Sequence, residues 1–234
     1  MNRNTLESVV DSVHDSTESR RDGIRRSDGK TGLVLSCSMR GCEPSGSPWP
    51  VDSSWSLLTL QTLANQARSR YARHDDYEEV INRDIGRLKK QYDISAVLIA
   101  GHTDCRVLED AYENWVGSTS DSRVGIETRL EPLCSVVGDG FEEGVLTESM
   151  SPRTVRHRLA EYNVCRQSEF LNEVFPSSVT VAGYVHDQDG VYGSFPDRRY
   201  LVAFNGQTRP RTIRSRIPDD TSVRVGSLLT PSPA

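Results

Sequence analysis

Three side chains in this sequence could hold a metal ion, and the runs that carry them end where strands would end. Leu98-Ile99-Ala100-Gly101-His102-Thr103-Asp104-Cys105 closes an apolar stretch with a glycine, then offers an imidazole and a thiol three residues apart. Far upstream, Leu33-Val34-Leu35-Ser36 runs into Cys37. Catalytic zinc is held by three protein ligands, commonly Cys and His, with a fourth position left for water or substrate. Cys37, His102 and Cys105 supply that number. Two thiolates and an imidazole leave a dication site neutral, and zinc lowers the pKa of its bound water from about 15.7 to near 7. A plainer reading stays open, because buried thiols are common and a single His-x-x-Cys is not specific.

The ligands work together only if the elements around them bring two strand ends side by side. Thr31 to Cys37 reads as a buried strand, and Ile94 to Ala100 as another. Asp75 to Tyr92 reads as a helix, with Asp75-Asp76 at its positive end and Lys89-Lys90 at its negative end. Arg106 to Val116 reads as the helix after the second strand. This β-α-β-α order predicts parallel strands with right-handed crossovers, and open parallel sheets place their sites at strand C-termini. Ser56 to Leu63 is ambiguous by periodicity and is assigned to a strand. Gly117 to Gly144 is rich in glycine and is assigned only short helical turns. A long helix is expected from Ser151-Pro152 to about Val174, then strands over Val179 to Tyr184 and Arg199 to Phe204. Residues 1–30 form an expected N-terminal helical arm, with Leu6, Val9, Val10 and Val13 as its stripe. Residues 206–234 read as a polar C-terminal extension, partly disordered, in which only Ser222 to Leu229 resembles a strand. The central domain spans 31–205.

Composition narrows the function classes. The 234-residue chain has a formal net charge of −5, which argues against generic nucleic-acid binding. No apolar run reaches the length that spans a membrane, and Met1-Asn2-Arg3-Asn4 opens no signal core, so a cytoplasmic protein is expected. Five cysteines, Cys37, Cys42, Cys105, Cys134 and Cys165, suit metal ligands or buried thiols better than a disulfide framework.

Gly101-His102-Thr103-Asp104-Cys105 resembles the Gly-His-x-x-Cys signature of the β-class carbonic anhydrases, and Ser36-Cys37-Ser38-Met39-Arg40 resembles their Cys-x-Asp-x-Arg element. Thr59 to Asn65 is similar to their Arg-Asn-x-x-Asn segment. Tyr162-Asn163-Val164 and Gly183-Tyr184-Val185-His186-Asp187 with Gly190 are similar to two later motifs, and all five stand in the family's order. The resemblance implies an α/β fold with a four-stranded parallel core sheet, an added edge strand, helices on both faces and an N-terminal arm that embraces a partner in a homodimer or higher homo-oligomer. It also implies a Zn2+ lyase that reversibly hydrates CO2 to bicarbonate by zinc-bound hydroxide, with Cys37, His102 and Cys105 as metal ligands.

Three departures bear on activity. Met39 stands where the family's aspartate is expected, and Arg40 comes one residue early. Methionine neither accepts a hydrogen bond usefully nor serves as a hard ligand. Arg40 could bind an anion or be a surface or interface charge. Asp104 could stand in for the lost carboxylate or cap the helix that follows. Arg106 replaces the family's usual glycine and could crowd the pocket. Two rival functions follow: a zinc-binding dimeric scaffold of the same fold with impaired catalysis, and a zinc hydrolase for a CO2-like molecule such as CS2 or COS. Cys134 and Cys165 read as core thiols, Cys42 as a spare ligand or loop residue, His14, His74 and His157 as surface residues, and His186 as a structural turn residue or a proton shuttle.

Overall fold

The computed structural model describes residues 30–38, 55–73, 76–117, 127–193, 195–217 and 223–230. Its strands are β1 (Thr31–Cys37), β2 (Ser56–Thr62), β3 (Arg68–Arg73), β4 (Asp76–Ile81), β5 (Ile94–His102), β6 (Thr180–Asp187) and β7 (Arg198–Phe204). The helices are α1 (Arg83–Gln91), α2 (Arg106–Trp115), α3 (Glu127–Glu142), α4 (Pro152–Val174) and α5 (Pro210–Arg214). The main sheet runs β2-β1-β5-β6-β7. Its first four strands are parallel, and β7 joins antiparallel to β6, so the chain is an α/β protein with a four-stranded parallel core and an added strand.

The apolar alternation along the central strands sorts their side chains onto two faces. Leu33, Leu35, Val97, Ile99, Val181 and Val185 point to one face, where Ile85 of α1 and Val164 and Leu171 of α4 cover them. Val34, Ala96, Leu98, Ala182 and Tyr184 point to the other, against Trp55, Ile213 of α5 and Val225. Burial on both faces explains why β1 and β5 read as continuous hydrophobic runs. A third cluster joins Cys37 and Cys105 to Leu108, Leu133, Val137 and Leu159 of α2, α3 and α4.

Four expectations are corrected. Asp75 to Tyr92 is not one helix: β4 occupies its first half, paired antiparallel with β3, and α1 starts only after Asn82. The Asn82 side chain accepts from the Asp84 N–H at 2.9 Å, a cap that sets the boundary. Gly117 to Gly144 contains a 16-residue helix despite Pro132 inside it. Leu130, Leu133, Val136 and Val137 bury one stripe of that helix, and tertiary packing outweighs the propensity cost of Pro132, Gly138 and Gly140. β6 runs on to Asp187, so His186 lies in a strand, not a turn. The segment after 206 is not wholly an extension: α5 caps the sheet face, and Leu201 pairs with Val225 in a bridge. The N-terminal arm, Met39, Arg40, Cys42, His14 and His74 lie outside the described residues.

Candidate metal centre

β1 and β5 are neighbours and parallel, with Ser36 opposite Ala100, so their C-terminal ends emerge together. Cys37 is the last residue of β1, His102 the last of β5, and Cys105 the N-cap of α2. The two thiol sulfurs and a ring nitrogen of His102 all lie within 4.8 Å of one another. The three residues are buried, at 2%, 3% and 2% exposure.

Both ring nitrogens of His102 are buried without a hydrogen-bond partner. A buried imidazole left so costs about 1–3 kcal/mol for each unpaired group unless something else satisfies it. A metal ion would. Zinc bonds of about 2.3 Å to sulfur and about 2.0–2.1 Å to nitrogen set tetrahedral ligand atoms roughly 3.5–3.8 Å apart, within reach of this cluster by small rotamer changes. Two soft sulfurs and an imidazole suit zinc and not the hard cations magnesium or calcium. Cys105 gains further from its place: the positive end of α2 favours negative charge on a thiolate there.

The loop between His102 and Cys105 is tied down. Thr103 is fully buried; its N–H donates to the His186 carbonyl at 3.1 Å, and its Oγ1 accepts from the Gln188 N–H at 3.0 Å. On the other side, a relay of buried amides joins α4 to the strand ends. Asn163 Nδ2 donates to Asn65 Oδ1 at 2.8 Å and to the Ala64 carbonyl at 2.9 Å, while Asn65 Nδ2 donates to the Ala100 carbonyl at 3.1 Å. Gln167 continues the relay, donating to Asn163 at 3.0 Å and accepting from the Ala67 N–H at 3.0 Å. The relay also holds Ala64 and Asn65 at left-handed φ of 48° and 52°. Such a conformation costs of order 1–3 kcal/mol per residue unless its surroundings fix it. The two motif segments around Asn65 and Asn163, distant in sequence, therefore meet behind the strand that carries His102.

Asp104 stands apart from the ligand group. Its side chain is half exposed and lies 3.6 Å from Arg156 Nη1, which also holds Glu109 at 2.8 Å. It does not cap α2 either, since the N-cap is Cys105. Arg106 is exposed in the first turn of α2. Among the described residues no carboxylate joins the cysteines and histidine.

Other readings change. His157 is buried at 6% exposure and bonds Asp189 at 2.7 Å, so it is no surface residue. Its position on α4, two turns ahead of Val164, lies on the inward face, a signal that its polar neighbours masked. His186 pairs in register with His102 on the adjacent strand, and burial, with Arg199 adding to it, pushes its imidazole pKa below the ordinary value. Cys165 is a core thiol, which burial pushes well up, whereas Cys134 is only half-buried beside the Ala111 carbonyl.

No protein-family model and no curated protein matches the sequence. Solved structures do. The β-carbonic anhydrase CafD of Aspergillus fumigatus is similar at a TM-score of 0.48 and 17% identity, covering 76% of this chain and 92% of that one. CafA of the same fungus is similar at 0.49 and 16%, covering 81% and 82%. A structure report on two tetrameric β-carbonic anhydrases of Sordaria macrospora gives 0.47 and 17%, covering 75% and 81%. At such identities and scores the likeness settles no function. The buried cluster carries the functional reading on its own geometry.

Proposed function

We propose that the chain is a zinc-dependent, carbonic anhydrase-like lyase that reversibly hydrates CO2 to bicarbonate. The observation that carries it is the convergence of Cys37, His102 and Cys105, with an imidazole buried and unpaired at both nitrogens. Those three residues would hold the ion. Bound there, zinc would supply a Lewis acid able to make water nucleophilic near neutral pH. The protein's part is to hold the three donors rigid through Thr103 and the amide relay, and to bury them so that electrostatic effects are strong. Arg40 and Asp104 are assigned by their sequence places, Arg40 to take the bicarbonate anion and Asp104 to supply the carboxylate that Met39 displaces. We assign the protein to the cytoplasm and, on the apolar stripe of residues 4–18, to a homodimer or higher homo-oligomer. Among the described residues no helix is long and apolar enough to cross a membrane.

One observation favours a second reading, a zinc-binding dimeric scaffold with impaired catalysis: Asp104 is turned to Arg156, and no other described carboxylate joins the cluster. Elemental analysis of the purified protein and stopped-flow CO2 hydration by its zinc-loaded form separate them. About one zinc per chain with hydration above buffer supports the lyase. Zinc without hydration leaves the scaffold, and a protein with no zinc, unaltered by Cys105→Ser, refutes both.

A further inference from the structure

Residues 223–230 form a strap across the outer side of β7 and the flank of α4. The Leu201 N–H donates to the Arg224 carbonyl at 2.8 Å, and Arg214 Nη2 donates to the Val225 carbonyl at 2.8 Å. Further along, Ser227 Oγ donates to Glu161 Oε1 at 2.6 Å, and Arg158 Nη2 donates to the Leu229 carbonyl at 3.3 Å. The strap crosses the stacked rings of Tyr192 and Tyr200, 4.7 Å apart, at Gly226, where a β-carbon would lie 2.9 Å from Tyr200 Cδ1.

Beside this crossing is a cavity of about 740 Å³, within the range of small-molecule sites, roughly 300–1,000 Å³. Arg158 and Arg214 line it, together with both tyrosines, Ser227 and Thr230, and none of its lining residues is acidic. The nearest buried carboxylate, Glu161, is already taken up by the Tyr192 hydroxyl, Ser227 and the Leu228 N–H. Arg158 feels the charge of Glu161 but keeps hydrogen-bonding capacity: its Nε is buried without a partner, and Nη1 meets only the Met150 sulfur at 3.9 Å. A guanidinium in that state is a ready fork for an oxyanion.

We propose that this cavity binds a small oxyanion of phosphate or carboxylate chemistry, held between Arg158 and Arg214 with the strap as one wall. The site shares no residue with the metal cluster, and its test does not depend on zinc. Calorimetric titration of the full chain with inorganic phosphate and with citrate, at fixed ionic strength in chloride, tells which chemistry it takes. Binding of at least one is expected, weakened about tenfold or more in R158Q and R214Q, as befits a lost charge-assisted bond. Because both arginines also hold the strap, T230D supplies an independent check. It leaves the strap's named bonds in place and adds a carboxylate to the cavity, so it should weaken anion binding at unchanged thermal stability. Hydrogen exchange of residues 223–230 should slow on saturation. No binding of either anion, equal binding by T230D, or no added protection of the strap would overturn the proposal.

Discussion

Gly101 and Val164 are packed so closely that a β-carbon on Gly101 would sit 2.5 Å from Val164 Cγ2. The contact lies one residue before His102, so the helix–strand distance and the ligand position are set together. Gly101→Ala should therefore cost stability, about 1–3 kcal/mol for overpacking, and also weaken zinc binding. Chemical denaturation and competitive zinc titration measure the two effects. The G101A/V164A double variant, with room restored, should recover zinc affinity more than the single variant does.

Asn163 is fully buried and serves Ala64, Asn65 and Gln167 at once. Asn163→Ala leaves those groups unpaired, at roughly 1–3 kcal/mol each. The expected result is a fall in denaturation midpoint larger than that of Asn114→Ala, a partly buried position whose side chain contacts only the Cys134 sulfur.

Zinc bound to the folded chain and not to the unfolded one must raise its melting temperature. Chelation should lower it, and zinc should restore it. Cys105→Ser and His102→Gln should abolish the response, whereas Cys134→Ser should keep it, because Cys134 lies outside the ligand group.

Glu161 gives a pH signature. Burial is the largest influence on it and raises its pKa above the ordinary 4.5, against the lowering effects of Leu228, Ser227, Tyr192 and Arg158. A group whose pKa is higher in the folded state contributes stability that is complete below its unfolded pKa and is lost as pH rises through its folded one. The stability of wild type relative to Glu161→Gln should thus decline as pH climbs from 4.5, then level off. Parallel denaturation curves of the two proteins across pH 4–8 check this, and a difference that grows with pH would contradict it.

The convergence of Cys37, His102 and Cys105 was legible because chemistry and pattern agreed there: two apolar runs, each ending in a donor residue, predict adjacent strand ends if the sheet is parallel. The β-α-β order supplied that condition. β3 and β4 were not legible, since Asp76 to Ile81 carries apolar residues at spacings that fit a helix through Tyr92, and only the Asn82 cap divides them. Helix α3 was hidden by Pro132, Gly138 and Gly140, residues tolerated for reasons visible only in three dimensions. A β-carbon on Gly140 would lie 3.0 Å from Leu146 Cδ1, which is one such reason. The strap read as strand-like over Ser222 to Leu229, but its docking was not legible because its anchor is Glu161, a carboxylate on a helix whose burial no local pattern announces.

Met39 sets the last expectation. The ligand group has no carboxylate among the described residues, and Asp104 is engaged with Arg156. A positioned acid–base group contributes about 10²–10⁴-fold to a rate. If the chain hydrates CO2 with a missing carboxylate, Met39→Asp should raise the stopped-flow rate by at least roughly 10²-fold at unchanged zinc content. Where Asp104 instead supplies that carboxylate, Asp104→Asn should lower the wild-type rate while leaving the melting temperature nearly unaltered, since a half-exposed ion pair is worth only about 0–1 kcal/mol. A Met39→Asp variant with zinc bound and no gain would show that the limit lies elsewhere, in Arg40 or in access to the buried cluster.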